Sequence, residues 1–331
     1  MDTPMYHLNN TYISLYRMLY LTYNNTDHPD GAGSQLQRML SIYMMAKYFS
    51  IELNTPIGYI HTPLGQIDYQ GLMCLEDNTA NNEVIEEYNT LFKLPSDTYD
   101  TIHKIETVKS LSKEHILALY KSTTNILLRT TYADKCLDVN KKAFNIPIEL
   151  PWITSTISYP IHVAIHVRRG ELYVVDSDRM LPNSYYVECM SALQELFNNA
   201  GIPFEFHIYT EVIRKPTIIT PTHHGIFNRI SQAIILSPDD NKLEDFNMFN
   251  VIYHINESPI KTLCDLTNSH VLLASRSSFS YVSSILKKRG VVLFHPFWHG
   301  LSDSWIPVYN KNDILKHSNI ILNSITRDAY A

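Results

Sequence analysis

The sequence predicts an α/β protein built on parallel sheets, and three observations lead there. Short apolar runs of strand length alternate with stretches of helical periodicity through the C-terminal half. Helix starts and stops fall where the chemistry expects them, with Pro259 at a first turn and Gly201 and Gly290 after apolar-periodic stretches. The chain of 331 residues is long for one core and comfortable for two domains. Alternation of this kind means βαβ units, and the right-handed crossover rule arranges such units into a Rossmann-like, doubly wound sheet whose ligands bind at the carboxyl ends of the strands.

In the N-terminal half, residues 34–49 (SQLQRMLSIYMMAKYF) predict a helix entered from the glycine turn DGAG at 30–33. IGYIHT at 57–62 is the following strand, and both 81–94 and 112–132 are expected to be helical. The stretch 149–160, ELPWITSTISYP, carries a proline near each end and is the expected linker. The division is therefore placed between residues 1–155 and residues 156–331.

The C-terminal half opens with an apolar strand at 161–169. A helix follows over 183–200, with Asn183 or Ser184 as its N-cap. Strands are expected at 204–211, 232–237 and 249–256, then a helix from Ser258-Pro259 to Asn268. HVLLAS (270–275) is a strand, 278–290 a helix with a glycine stop, and VVLFHP (291–296) another strand.

Composition narrows the function classes. A hydrophobic content of 45% with 18% charged residues belongs to an ordinary folded globular chain. A net charge of −6 argues against a nucleic-acid partner held by a basic surface. The four cysteines form no CxxC pair, as expected of reduced thiols in a cytoplasmic protein rather than a disulfide framework or zinc site. The first twenty residues show no basic segment followed by an apolar run, and no window of eighteen apolar residues occurs, so neither a signal peptide nor a membrane span is expected.

The chemistry concentrates in HVRRGE, residues 166–171. Two adjacent guanidiniums repel each other, and a chain keeps them behind an apolar strand mainly when an anion comes to sit there. An arginine at a strand's carboxyl end can grip a phosphate with two parallel hydrogen bonds. Ordinary pairing with a surface acid is the plainer account for one arginine, and a weaker one for two. Asp176-Ser177-Asp178 follows within ten residues and reads either as a metal-binding DxD, as a source of a catalytic base, or as a solvated loop. His223-His224 and the stretch His295 to His299 lack acid or cysteine partners at metal spacing, and a structural or aromatic-wall role is expected for them.

AIHVRRGE resembles the first signature peptide of the fucosyltransferase superfamily that includes the α1,2-, α1,6- and protein O-fucosyltransferases. DGAGSQLQRML is similar to that family's N-terminal glycine-rich turn and helix, with Ser34 where asparagine is usual. SRSSFSYVSSIL looks like its late signature, in which small hydroxyl residues and an aromatic open a helix below the pyrophosphate. The resemblance implies a GT-B-like fold, with two Rossmann-like domains whose parallel sheets face a central cleft. It also implies an inverting, metal-independent transfer of fucose from GDP-fucose to a glycan acceptor, with no cofactor beyond the donor.

Residue by residue, the resemblance puts Arg168 on the donor's β-phosphate, Arg169 as a brace of the same donor site, and His166 beside the nucleoside. Ser277, Ser278 and Phe279 would wrap the pyrophosphate, while Gly31 and Gly33 would let the N-terminal backbone approach it. Asp176 or Asp178 stands at the family's distance for the base, and Glu171 replaces the usual aspartate, where it could orient an arginine. The motifs grip phosphate and do not read the sugar. Xylose or rhamnose from another nucleotide donor, or a non-catalytic nucleotide- or carbohydrate-binding module, are the alternatives they leave open.

Overall fold

Two parallel sheets organise the chain. The computed structural model describes residues 18–25, 31–65, 82–98, 101–121, 125–132, 141–153, 159–170, 172–175, 177–219 and 232–329. The first sheet is built from β1 (Leu19–Tyr23), β2 (Ile57–Ile60), β3 (Lys104–Ser110) and β4 (Ile126–Tyr132), all parallel, in the order β2-β1-β4-β3. Between β1 and β2 runs the long helix α1 (Ala32–Glu52), and α2 (Asn82–Leu91) and α3 (Lys113–Tyr120) follow in the crossovers. Most of α1 is buried because it packs on its own sheet and also on a helix of the C-terminal half.

One expectation fails here. Residues 112–132, read as a single helix, are a short helix followed by a strand. Ser112 caps α3 by accepting from the His115 N–H, the helix ends after Tyr120, and ILLRTTY becomes β4, lying between β1 and β3. Apolar periodicity over so short a run does not separate helix from strand, and pairing on both sides decides it.

The second sheet comprises β5 (Ile161–Val167), β6 (Phe204–Thr210), β9 (Val251–Ile255), β10 (Val271–Ala274), β11 (Val291–Phe294) and β12 (Ile306–Pro307). Its order is β12-β11-β10-β5-β6-β9, again parallel throughout. Counted from β5, that is the 3-2-1-4-5-6 order of the Rossmann fold. Strands such as β5 are buried on both faces, which is why they read as continuous apolar runs. The helices are α4 (Leu172–Val175), α5 (Asn183–Ala200), α6 (Pro259–Asn268), α7 (Ser278–Leu286), α8 (Lys311–Lys316) and α9 (Ser318–Ala329).

The α/β plan of parallel sheets expected from the sequence is the plan observed, with several local corrections. The 232–237 stretch does not join the large sheet. Its β8 (Ile234–Leu236) pairs antiparallel with β7 (Thr217–Ile219) in a separate ribbon. The N-cap of α5 is Pro182, neither Asn183 nor Ser184, because the Asn183 side chain is engaged elsewhere: its Nδ2 donates to Lys242 O and Asp245 Oδ2, each at 2.9 Å. Helix α7 ends at Leu286, and Gly290 belongs to the turn before β11.

The boundary expected between residues 155 and 156 lies within 154–158, outside the described residues. The apolar core of the first sheet extends onto the C-terminal half, taking in Ile260 and Leu263 of α6 and Val282 and Leu286 of α7. A second core, with Ile161, Val163, Val271 and Leu293, fills one face of the large sheet, and a third, with Ala164, Leu272 and Phe294, fills the other. Burying four large apolar side chains across the seam favours a fixed relation between the halves, since each contributes about 1.5–3 kcal/mol.

Candidate active site

The reversal of strand order between β5 and β10 opens a crevice at their carboxyl ends, where doubly wound sheets bind ligands. A cleft of about 180 Å³, partly open to solvent, lies there. Gly31, Gly33, His166, Arg168, Arg169, Ser277, Ser278 and Phe279 all line it, so the sequence-predicted donor residues converge from both halves.

His166, one residue before the end of β5, is almost fully buried, and its Nδ1 lies 2.9 Å from Ser275 Oγ, directly after the neighbouring β10. Burial, reinforced by Arg168 and Arg169, pushes its pKa down to about 3, so the ring is neutral near pH 7. Arg168 follows two residues later, its Nη1 3.6 Å from Glu211 Oε2 at the end of β6. Gly170 turns the chain at φ +69°, and a Cβ there would lie 2.4 Å from the same carboxylate oxygen. A side chain at Gly170 would therefore push Glu211 off Arg168.

The second arginine does different work. Arg169 is buried, donating from Nη1 to Arg168 O at 2.9 Å and to Leu181 O at 3.0 Å, and from Nη2 to Asn183 Oδ1. Its guanidinium also lies 5.8 Å from the Tyr186 ring centre. It braces the loop that carries Arg168.

Across the crevice, α7 begins at the cleft. The Ser277 side chain accepts from Phe279 N, and Ser280 Oγ donates back to Ser275 O and Ser277 O. The helix N-terminus brings backbone N–H groups and partial positive charge to this spot. Gly33, in the first turn of α1, is the point of closest approach: a Cβ there would sit 2.8 Å from Phe279 N. Its lack of a side chain lets α1 close onto α7, a need that the sequence alone did not reveal.

The predicted bases fare unequally. Asp176 and Glu171 lie outside the described residues. Asp178 is exposed and does not line the cleft, although its backbone carbonyl accepts from Arg276 Nη1 at 2.9 Å. Among the described residues, the carboxylates that line the cleft are Glu211 and Glu257, neither anticipated from sequence. An acid directly after a strand, as Glu211 follows β6, was the available signal. Arg179, stacked 4.6 Å from the Trp298 ring centre, also lines it.

The far end of the cleft carries Tyr209 and His254, stacked at 4.3 Å and nearly parallel at 6°. His254 Nδ1 is 3.0 Å from Glu257 Oε1, and its Nε2 is 2.9 Å from His207 Nδ1. His254, Glu257 and Asp265 offer ligand atoms within 4.8 Å of one another, a set that could hold a metal ion. Lys261 already places its ammonium between the two acids, 2.6 Å from Glu257 and 2.8 Å from Asp265, so the chain supplies a cation of its own there. Those contacts hold the Glu257 carboxyl below its ordinary range.

Burial also holds His162 and His299 down to about 3, as it does His166, from an ordinary value of 6.5. Each then binds fewer protons folded than unfolded, so its contribution to stability is complete above pH 6.5 and is lost as the pH falls toward 3. Urea midpoints measured between pH 7 and 5 are expected to fall steeply, above the range in which surface carboxylates titrate. A flat profile over that interval would show that these imidazoles are not buried neutral.

No family model matches the chain, and no curated protein matches it. Among solved structures, a crystal structure of POFUT1, a protein O-fucosyltransferase, in complex with GDP aligns at 8% identity over 81% of this chain and 94% of that chain, with a TM-score of 0.34. A second crystal form of the same complex covers 84% and 99% at 8% identity with a TM-score of 0.35. POFUT1 with GDP-fucose aligns at 10% identity over 84% and 73%, with a TM-score of 0.24. Scores of this size do not carry the fold assignment, which rests on the strand order and sheet parallelism described above. Among the described residues, no helix is long and apolar enough to cross a membrane.

Proposed function

We propose that this chain is an inverting, metal-independent glycosyltransferase that moves fucose from GDP-fucose to a glycan acceptor. The observation that carries the reading is the convergence of Arg168, the α7 N-terminus and the α1 glycine turn on one cleft at the switch point of a doubly wound sheet. Those are the groups a nucleoside diphosphate needs: a forked cation, backbone N–H groups and close backbone approach.

In this reading Arg168 holds the β-phosphate, and Ser277, Ser278 and the first N–H groups of α7 surround the pyrophosphate. As the bond between the sugar's anomeric carbon and the phosphate oxygen breaks, negative charge grows on the leaving diphosphate and positive charge on the sugar ring. Preorganised donors aimed at that growing charge lower the barrier. The acceptor oxygen bonds to the anomeric carbon from the opposite face, which inverts it. A carboxylate takes the acceptor's proton: Asp176 is the candidate from sequence, and Glu211, which lines the cleft, is the second. His166, neutral and buried beside Phe279, walls the nucleoside side.

A melting-temperature panel with GDP, UDP, CDP and ADP tests the donor. GDP is expected to raise the melting temperature most, because a ligand that binds only the folded state stabilises it. A larger shift with another base moves the donor to a different nucleotide sugar, and no shift with any of them removes the reading. Turnover of GDP-fucose distinguishes an enzyme from a binding module. Activity is also expected to survive EDTA. Loss on chelation with recovery in Mn²⁺ would transfer the pyrophosphate's charge to a metal, held by Asp176 and Asp178 or by the His254–Glu257–Asp265 group.

A further inference from the structure

The loop after β11 crosses the seam between the halves. His299 is buried in it, packed 4.7 Å from the Tyr281 and Phe297 ring centres, and Tyr281 Oη donates to Gly300 O at 2.9 Å. The ring makes one polar contact on each side. Its Nδ1 is 3.0 Å from Gln37 Nε2 on α1, and its Nε2 is 3.0 Å from Ser278 Oγ at the start of α7.

The direction of the protons follows from donor chemistry. An amide nitrogen can only donate, so Nδ1 of His299 accepts. A neutral imidazole then carries its proton on Nε2 and donates it to Ser278 Oγ. Burial keeps this ring neutral. With its oxygen already accepting, Ser278 has its own hydroxyl proton left to give, and Ser278 lines the cleft.

We infer that Gln37 and His299 are positioning residues that aim the Ser278 hydroxyl as a donor at an anion in the cleft. The hydrogen bonds from Gln37 through His299 to Ser278 run from one half to the other, so this donor is set only while α1 lies against the C-terminal unit. The inference deepens the proposed function and rests on its reading of the cleft as a diphosphate site. For the stretch His295 to His299 the sequence predicts a structural or aromatic-wall role. Phe297, Trp298 and His299 pack their rings together, and His299 adds a directed polar link.

Calorimetric affinities for GDP and for inorganic pyrophosphate test it in wild type, Ser278→Ala, His299→Asn and His299→Gln, with each His299 change repeated in the Ser278→Ala background. A glutamine amide reaches toward the Nε2 position and can still donate to Ser278. An asparagine amide reaches only toward Nδ1. Ser278→Ala and His299→Asn are each expected to weaken binding about 10-fold or more, the loss of one hydrogen bond to a charged group. His299→Gln should stay close to wild type, and His299→Asn should cost nothing further once Ser278 is alanine.

A purely structural His299 would behave differently. Both substitutions would then lower the melting temperature alike, and their binding losses would add to that of Ser278→Ala or be absent. Either result overturns the inference while leaving the diphosphate site standing. Wild type that binds neither GDP nor pyrophosphate overturns both readings. Should the His299 variants not fold, Gln37→Met cuts the chain at its far end. It must weaken binding in the wild-type background and have no effect in Ser278→Ala, and any other pattern refutes the proposal.

Discussion

Arg168→Lys is expected to lower kcat/KM by roughly 10²–10³-fold in a protein that melts near the wild-type temperature. Lysine keeps the charge and most of the side-chain length but loses the planar fork, and a phosphate held by two parallel hydrogen bonds is then held by one mobile point charge. Arg168 is partly exposed, and its pairing with Glu211 at 3.6 Å is too long for a strong hydrogen bond. Steady-state kinetics together with a thermal melt give the result. Turnover close to wild type would place the phosphate on another guanidinium, and Arg169 and Arg179 also line the cleft.

Arg169→Lys serves as the contrast. Its guanidinium is buried and donates to two carbonyls and to Asn183, so lysine leaves buried acceptors without partners. The cost there is stability, on the order of 3 kcal/mol. Two neighbouring arginines in one motif should therefore differ: Arg168→Lys acts on kinetics, while Arg169→Lys lowers the melting temperature and, by loosening the loop that carries Arg168, turnover as well.

That separation marks how far the sequence could be read. The large sheet was legible because its central strands are buried on both faces and appear as unbroken apolar runs. The first sheet was less so. β3, KIETVKS, is a largely exposed edge strand with no apolar run to announce it, and β4 follows α3 closely enough to extend a helical pattern. In the cleft, residues carried by short motifs, such as His166, Arg168 and Ser277 to Phe279, could be named because each motif is local. Glu211 and Glu257 arrive singly from the ends of β6 and β9. His299 acquires its meaning from Gln37, 262 positions away, and from Ser278, 21 away. Nothing in a linear pattern joins those three.

The assignment of the base shows the same limit and can be decided by experiment. Inverting transfer needs a carboxylate near the acceptor hydroxyl, and asparagine or glutamine at that position keeps the shape while removing basicity. Asp176→Asn is expected to lower kcat by roughly 10²–10⁴-fold with GDP affinity unchanged, whereas Asp178→Asn, at an exposed position outside the cleft, should leave both near wild type. Glu211→Gln should give a different signature. Its carboxylate lies beside Arg168, so removing the charge loosens the guanidinium, and GDP affinity and kcat should fall together. Glu257 is a poor base by comparison, since Lys261 and His254 hold it ionised with its pKa lowered. Measuring GDP affinity and single-turnover rates for all three variants separates the cases. Normal rates in both aspartate variants, with Glu211→Gln slow yet still binding GDP at full affinity, would assign the base to Glu211. The loop at 176–178 would then be a solvated rim, and the chemistry would sit one strand further along the sheet, at the end of β6.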